Sequence, residues 1–156
     1  MRVKNTKTIT PLFLAACVLL VYWLWLSLRP VEIIDIHHRS NGFSDVLVTN
    51  FPPTDKGKIN WWLKNKDVLK DKYSIPKPDS SGYFYVTFWI FGEGYKKEGK
   101  HDRLCFDDMK TKVNCIEKHA VFSVDKSRNI GEMFTVYDGD NYRLDPGGDI
   151  IKLSSK

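Results

Sequence analysis

The residues best able to do chemistry in this chain are its 3 cysteines, its 4 histidines and an aspartate-rich stretch near the C-terminus. Cys105 and Cys115 are equidistant from Lys110, so strands that turn about Lys110 would set them face to face. In an oxidising compartment such a pair closes a disulfide, and closing so short a loop stabilises by roughly 2–3 kcal/mol in the chain-entropy model. The other reading is two reduced cysteines in neighbouring strands. The spacing is not the C-x-x-C of a redox-active pair. The histidines, His37, His38, His101 and His119, fit no metal spacing: neither H-E-x-x-H nor a C-x-x-C partner occurs. Side chains alternate along a strand, so His37 and His38 cannot point the same way. Surface or loop histidine is the expectation for all four. Asp138-Gly139-Asp140 opens like a calcium loop, but Arg143 and Asp149 stand where an EF-hand needs glycine and glutamate. A turn rich in Asp and Gly accounts for the same residues. No G-x-S-x-G elbow, phosphate-binding glycine loop or Ser-x-x-Lys is present. The carboxylate pair Asp107-Asp108 reads as turn chemistry. These residues assign no catalytic group, metal or cofactor, and the expectation is a protein that is not an enzyme.

One further pair stands out. Trp61 and Trp62 are adjacent in a helical pattern, where neighbours lie about 100° apart, so only one can share the core stripe fully. Trp62 fits that stripe. Trp61 either packs at its edge or, beside Lys58 and Lys64, forms a contact surface for a protein or an anionic bilayer.

The elements that must position these residues begin with an anchor. Pro11 to Leu28 carries no charge, and with Ile9 and Thr10 the apolar run is long enough to cross roughly 30 Å of hydrocarbon as a helix. Thr10 reads as its N-cap, Pro11 as its first residue, and Pro30 as its stop. Tyr22, Trp23 and Trp25 form an interfacial belt. Arg2, Lys4 and Lys7 precede the run, whereas Arg29 is followed by Glu32 and Asp35. The positive-inside bias therefore expects a cytoplasmic tail over 1–8, a span over 9–29 and a periplasmic domain over 30–156, in the inner membrane. All 19 acidic residues lie beyond residue 30, so the formal charge of +5 belongs largely to the membrane flanks and does not argue for nucleic acid. A cleaved signal peptide would want a shorter core and a small-residue cleavage site. Leu14-Ala15-Ala16-Cys17 does match a lipoprotein cleavage pattern, with acylation at Cys17, but a long apolar run follows it instead of a polar tether.

Beyond the anchor, Val31–His38 and Asp45–Phe51 read as strands around an Arg39–Gly42 turn, a hairpin pattern. Thr54 or Asp55 caps a helix running to about Tyr73, with Ile59, Trp62, Leu69 and Tyr73 on one face. Lys56, Lys58, Lys64, Lys66, Lys70 and Lys72 fall on the other. After a loop over 75–82, the run from Tyr83 to Phe91 is apolar on both faces, as in a central strand covered on both sides. Strands follow at 103–107, 113–117, 120–124 and 132–137, and the stretch over 138–156 is expected to fray. One main helix on a mostly antiparallel sheet defines an α+β domain.

The blocks WLSLRPVEI, SDVLVTNFPPTDKGKINWWLKNKDVLK and DRLCFDDMKTKVNCIEK together resemble a family of small single-span, membrane-anchored enterobacterial proteins with a domain of unknown function. The resemblance reaches to about Asp145 and implies one N-terminal span and an envelope location. It supplies no activity and no site residues. The functional expectation is a membrane-anchored periplasmic module that binds a protein partner, of immunity or envelope-protective type. The alternatives are an accessory subunit of an inner-membrane complex and a periplasmic enzyme whose site is assembled only in space.

Overall fold

The structure is a computed structural model and describes residues 6–154. It separates into two compact units, Met1–Pro30 and Val31–Lys156. The first is the helix α1 (Thr6–Ser27), whose stretch Thr10–Ser27 has a mean hydropathy of 1.9. Among the described residues it is the one helix long and apolar enough to cross a membrane. It starts before the expected Thr10 cap and takes Pro11 inside. Proline removes one backbone bond and crowds the preceding turn; so near the helix start, few residues precede it. Of the tail read over 1–8, residues 1–5 lie outside the described residues. At the other end the guanidinium of Arg29 sits 3.7 Å from the centroid of the Trp25 ring.

The second unit is built on a seven-stranded sheet. β1 (Glu32–His38) and β2 (Phe43–Thr49) form the antiparallel hairpin, with Ile36 opposite Val46. β2 then pairs in parallel with β3 (Phe84–Ile90), and the chain between them is the crossover helix α2 (Asp55–Tyr73). A parallel neighbour requires such a crossover, because a tight turn can only reverse the chain. Thr54 caps α2 by accepting from the Gly57 N–H, and Ser74, at φ 56°, closes it with its N–H on Leu69 and Lys70 carbonyls. β7 (Ala120–Ser127) and β8 (Gly131–Val136) extend the sheet antiparallel, giving the order β1-β2-β3-β7-β8 and onward. A separate small sheet has the order β4-β6-β5, from β4 (Lys96–Lys97), β5 (Arg103–Cys105) and β6 (Val113–Glu117).

Two hydrophobic clusters follow from this layering. Under α2 lie Val46, Val86, Phe88, Phe122, Val124 and Phe134 against Ile59, Trp62 and Leu69 of the helix. On the opposite face Leu47 packs with Phe106 and Ile116 of the small-sheet segment, flanked by Trp89 and Tyr95. β3 thus contributes to both, through Phe88 on one side and Trp89 on the other.

The C-terminal stretch corrects the expectation of fraying. It forms β9 (Asn141–Leu144) and β10 (Ile150–Lys152), which complete the sheet to seven strands. Tyr142, Leu144 and Ile150 pack against the core beneath α2, and the Tyr142 hydroxyl donates to Asp55 Oδ2 at 2.6 Å. The glycines and aspartates that read as disorder are turn formers: Asp145 Oδ1 accepts the Asp149 N–H at 2.8 Å between the two strands.

Candidate functional site

Strand alternation in β1 sends His38 toward α2 and His37 toward the small sheet. His38 Nδ1 lies 3.1 Å from Ser44 Oγ. His37 is only 3% exposed, which corrects the reading of surface histidine. Its ring stacks on Phe106 with centroids 3.7 Å apart and planes at 11°. Nδ1 lies 2.9 Å from each carboxylate oxygen of Asp108, and Nε2 lies 2.9 Å from the Tyr95 hydroxyl. Tyr95 in turn donates to Asp35 Oδ2 at 2.7 Å. The phenol has one proton and directs it at Asp35, so its oxygen is the part that meets His37 Nε2. Asp108 as a carboxylate only accepts. Phe106, Asp108 and Tyr95 all come from the segment that carries the small sheet, so the imidazole pins that segment to β1.

Beside this cluster is a cavity of about 330 Å³, lined by His37, Arg39, Ser40, Cys105 and Asp108 among others. Asp45, 5% exposed, borders the cluster: Trp89 Nε1 donates to its Oδ1 at 2.7 Å, and Arg39 Nε approaches its Oδ2 to 2.6 Å off the line of a hydrogen bond. Burial pushes the Asp45 carboxyl above its ordinary value, against the lowering pull of Trp89 and Arg39.

An imidazole held by a carboxylate is the orienting half of a nucleophilic triad. The other half is not assembled here. Ser44 bonds His38, not His37, and is 1% exposed. His37 Nε2 faces a tyrosine whose phenol is pushed upward by burial and by Asp35, so it keeps its proton and is a poor proton donor and a poor nucleophile. The cluster reads as a fastening between two sheets. Tyr95→Phe tests that: it removes the proton that Asp35 accepts and the oxygen that Nε2 meets. Asp35 is 46% exposed and water replaces part of the loss, so thermal unfolding should show a drop of about 1 kcal/mol, at the low end for a broken buried bond.

The other sequence candidates fall elsewhere. Cys105 and Cys115 are directly paired between β5 and β6, with their sulfurs 2.05 Å apart. Trp61 is half-buried, with its ring centroid 5.2 Å from Phe51 and 5.7 Å from Phe88. Lys58, expected on the polar face, is 8% exposed and its Nζ donates to the Pro53 carbonyl at 3.2 Å. Desolvation pushes its ammonium below the ordinary value, opposed by Asp55 and Asp138. Of Trp61, Lys58 and Lys64, only Lys64 is exposed. His101 and His119 are exposed.

A different set gathers on the sheet face away from α2, beyond the area where Leu47 and Trp89 meet the small sheet. Register aligns Phe43, Tyr85, Asp125, Met133 and Arg143 in one row across five strands. The Phe43 ring lies 5.6 Å from Tyr85 and 5.9 Å from Tyr83, and the Tyr85 hydroxyl lies 3.2 Å from Ser123 Oγ and 3.4 Å from the Tyr137 hydroxyl. Burial raises the Tyr85 phenol to about 12. Phe43 is 41% and Tyr137 46% exposed. Period-two alternation in Tyr83-Phe84-Tyr85 signals this face, but pairing with Asp125 needs the β3–β7 register.

Fold and surface together define a protein with one apolar N-terminal helix and an α+β domain held by an inter-strand disulfide. The chain belongs to the family described as "Enterobacterial putative membrane protein (DUF943)", whose model matches residues 2–154. No curated protein matches the chain, and no solved structure does.

Proposed function

We propose that this chain is a single-pass inner-membrane protein whose domain, residues 31–154, works in the periplasm as a binding module for another protein. The observation that carries the reading is the open aromatic sheet face on a domain whose best acid–base cluster is consumed in internal contacts. Interfaces favour tyrosine and phenylalanine at their cores, and here those residues sit half-exposed and held in register. The compartment rests on the basic residues before α1 and on the Cys105–Cys115 pair, which an oxidising space would keep closed. Within this class we favour an inhibitor of immunity or envelope-protective type, because a small tethered domain with no assembled nucleophile among the described residues suits one-to-one capture. Two C-terminal fusions to the full chain test the topology. Alkaline phosphatase should be active and a cytosol-dependent fluorescent protein dark; the reverse result places the domain in the cytosol and removes the reading.

A further inference from the structure

The open end of the second sheet face carries a carboxylate with no cation of its own. Asp125 lies in β7 directly opposite Tyr85, and paired residues on one face have their Cβ atoms about 5 Å apart. Among the described residues its carboxylate makes no hydrogen bond and no ion pair, although the side chain is half-buried. The charged groups around it do not compensate it. Asp79 is a second carboxylate, held below the ordinary range by Ser81 and by the backbone at 81–83. Arg128, three positions along, donates Nε to the Ser81 carbonyl at 2.9 Å. Lys126 points to the other face, opposite Phe84, and Arg143 stands two strands away along the row. Tyr83 and Tyr85 add rings but no charge at neutral pH.

The aromatic side of this patch is preorganised. Asn41 and Gly42 both have positive φ, at 63° and 82°, and Gly42 accepts the Tyr85 N–H at 2.9 Å. A Cβ on Gly42 would lie 2.5 Å from the Tyr83 carbonyl oxygen, so only glycine lets the hairpin end close on β3. That closure brings Phe43 against both tyrosines. Rigid rings around an unpaired carboxylate make a receptor for a side chain with an apolar stem and a positive head.

We infer that Phe43, Tyr83, Tyr85 and Asp125 form a docking surface for a basic segment of a partner protein, a lysine or arginine lying across the rings with its charge at Asp125. This rests on the protein-binding reading and adds the partner's chemistry and the residues that meet it. Binding would supply the cation that the free domain lacks. A consequence in the free chain follows from burial, which holds the Asp125 carboxyl above 3.8. A carboxyl raised on folding favours the folded state fully below its unfolded value, and that contribution is lost as pH rises through the folded value. Asp125→Asn should therefore melt higher than the parent at pH 7 and equally at pH 3.

The experiment uses the full chain in phosphatidylcholine nanodiscs, with a fluorescein-labelled tetra-arginine peptide as probe and tetra-glutamate as control, read by anisotropy. The basic probe should bind and the acidic one should not. Asp125→Asn and Phe43→Ala should each weaken binding by about two- to fivefold, as expected for one cation–aromatic or charge contact, while Lys64→Ala should leave it unchanged or tighter. Equal affinity across the variants, or equal binding of both probes, overturns the surface. So does an Asp125→Asn variant that melts lower at pH 7, since the carboxylate would then be structural. A second copy of this chain as occupant would appear as concentration-dependent dimerisation lost in Asp125→Asn, which also overturns a foreign partner. If the topology fusions place the domain in the periplasm and these probe results are flat, the surface alone fails.

Discussion

Replacing Trp62 by alanine is expected to destabilise the domain by about 3–5 kcal/mol, the range for truncating a fully buried tryptophan. Trp62 is 0% exposed and lies on the α2 face that meets the sheet, its ring 6.1 Å from Phe88 at 77°. Phe88 itself is contacted by Phe51, Phe122 and Trp61, so a void at Trp62 loosens the ring cluster on which β3 rests. A domain of this size has about 5–15 kcal/mol in all, so the loss is about a fifth of the total or more. Near-UV circular dichroism should show it as a fall of roughly 10–20 °C in melting temperature. The conservative variant sharpens the reading. The Trp62 indole N–H has no partner in the buried cluster, and an unmade buried bond is itself unfavourable. Trp62→Phe removes that group along with some volume, so its loss should be well below that of Trp62→Ala. Equal losses would mean that the indole nitrogen is satisfied and the packing argument incomplete.

Much of this architecture could be read along the chain because it rests on local rules. The span follows from an uninterrupted apolar run, the α2 face from the spacing of Ile59, Trp62 and Leu69, and the two-sided burial of β3 from its continuous apolar pattern. What was hidden depends on distance along the chain. His37 meets Asp108 across 71 positions and Tyr95 across 58; alternation says that one of the two adjacent histidines turns inward, but not which partner waits there. The C-terminal strands are hard to read along the chain because Asp and Gly serve tight turns and loose tails alike, and the deciding contact, Tyr142 with Asp55, spans 87 positions. Lys58 departs from its helical pattern for a related reason. Helical spacing assigns it to the polar side, but the Pro53 carbonyl that receives its ammonium belongs to the chain entering the helix.

Changing both Cys105 and Cys115 to serine should lower stability by roughly 2–3 kcal/mol, the contribution of closing so short a loop in the chain-entropy model. The location of the loss matters more than its size. The bridge joins β5 to β6, and the residues between its ends include Phe106 and Asp108, two of the three groups that hold His37. Opening the loop should therefore release the small sheet from β1 before the α2 core gives way. Hydrogen exchange should show amides in 95–117 losing protection while those of β3 and β7 keep theirs. Trp62→Ala, by contrast, should lower protection throughout the domain. The two variants thus separate the two hydrophobic clusters, one under the helix and one under the small sheet. If the serine variant loses protection uniformly, the His37 cluster is not the joint between them, and the small sheet belongs to the same cooperative unit as the core. If it loses none, the imidazole, Tyr95 and Phe106 hold the segment unaided, and the bridge acts on the unfolded chain alone.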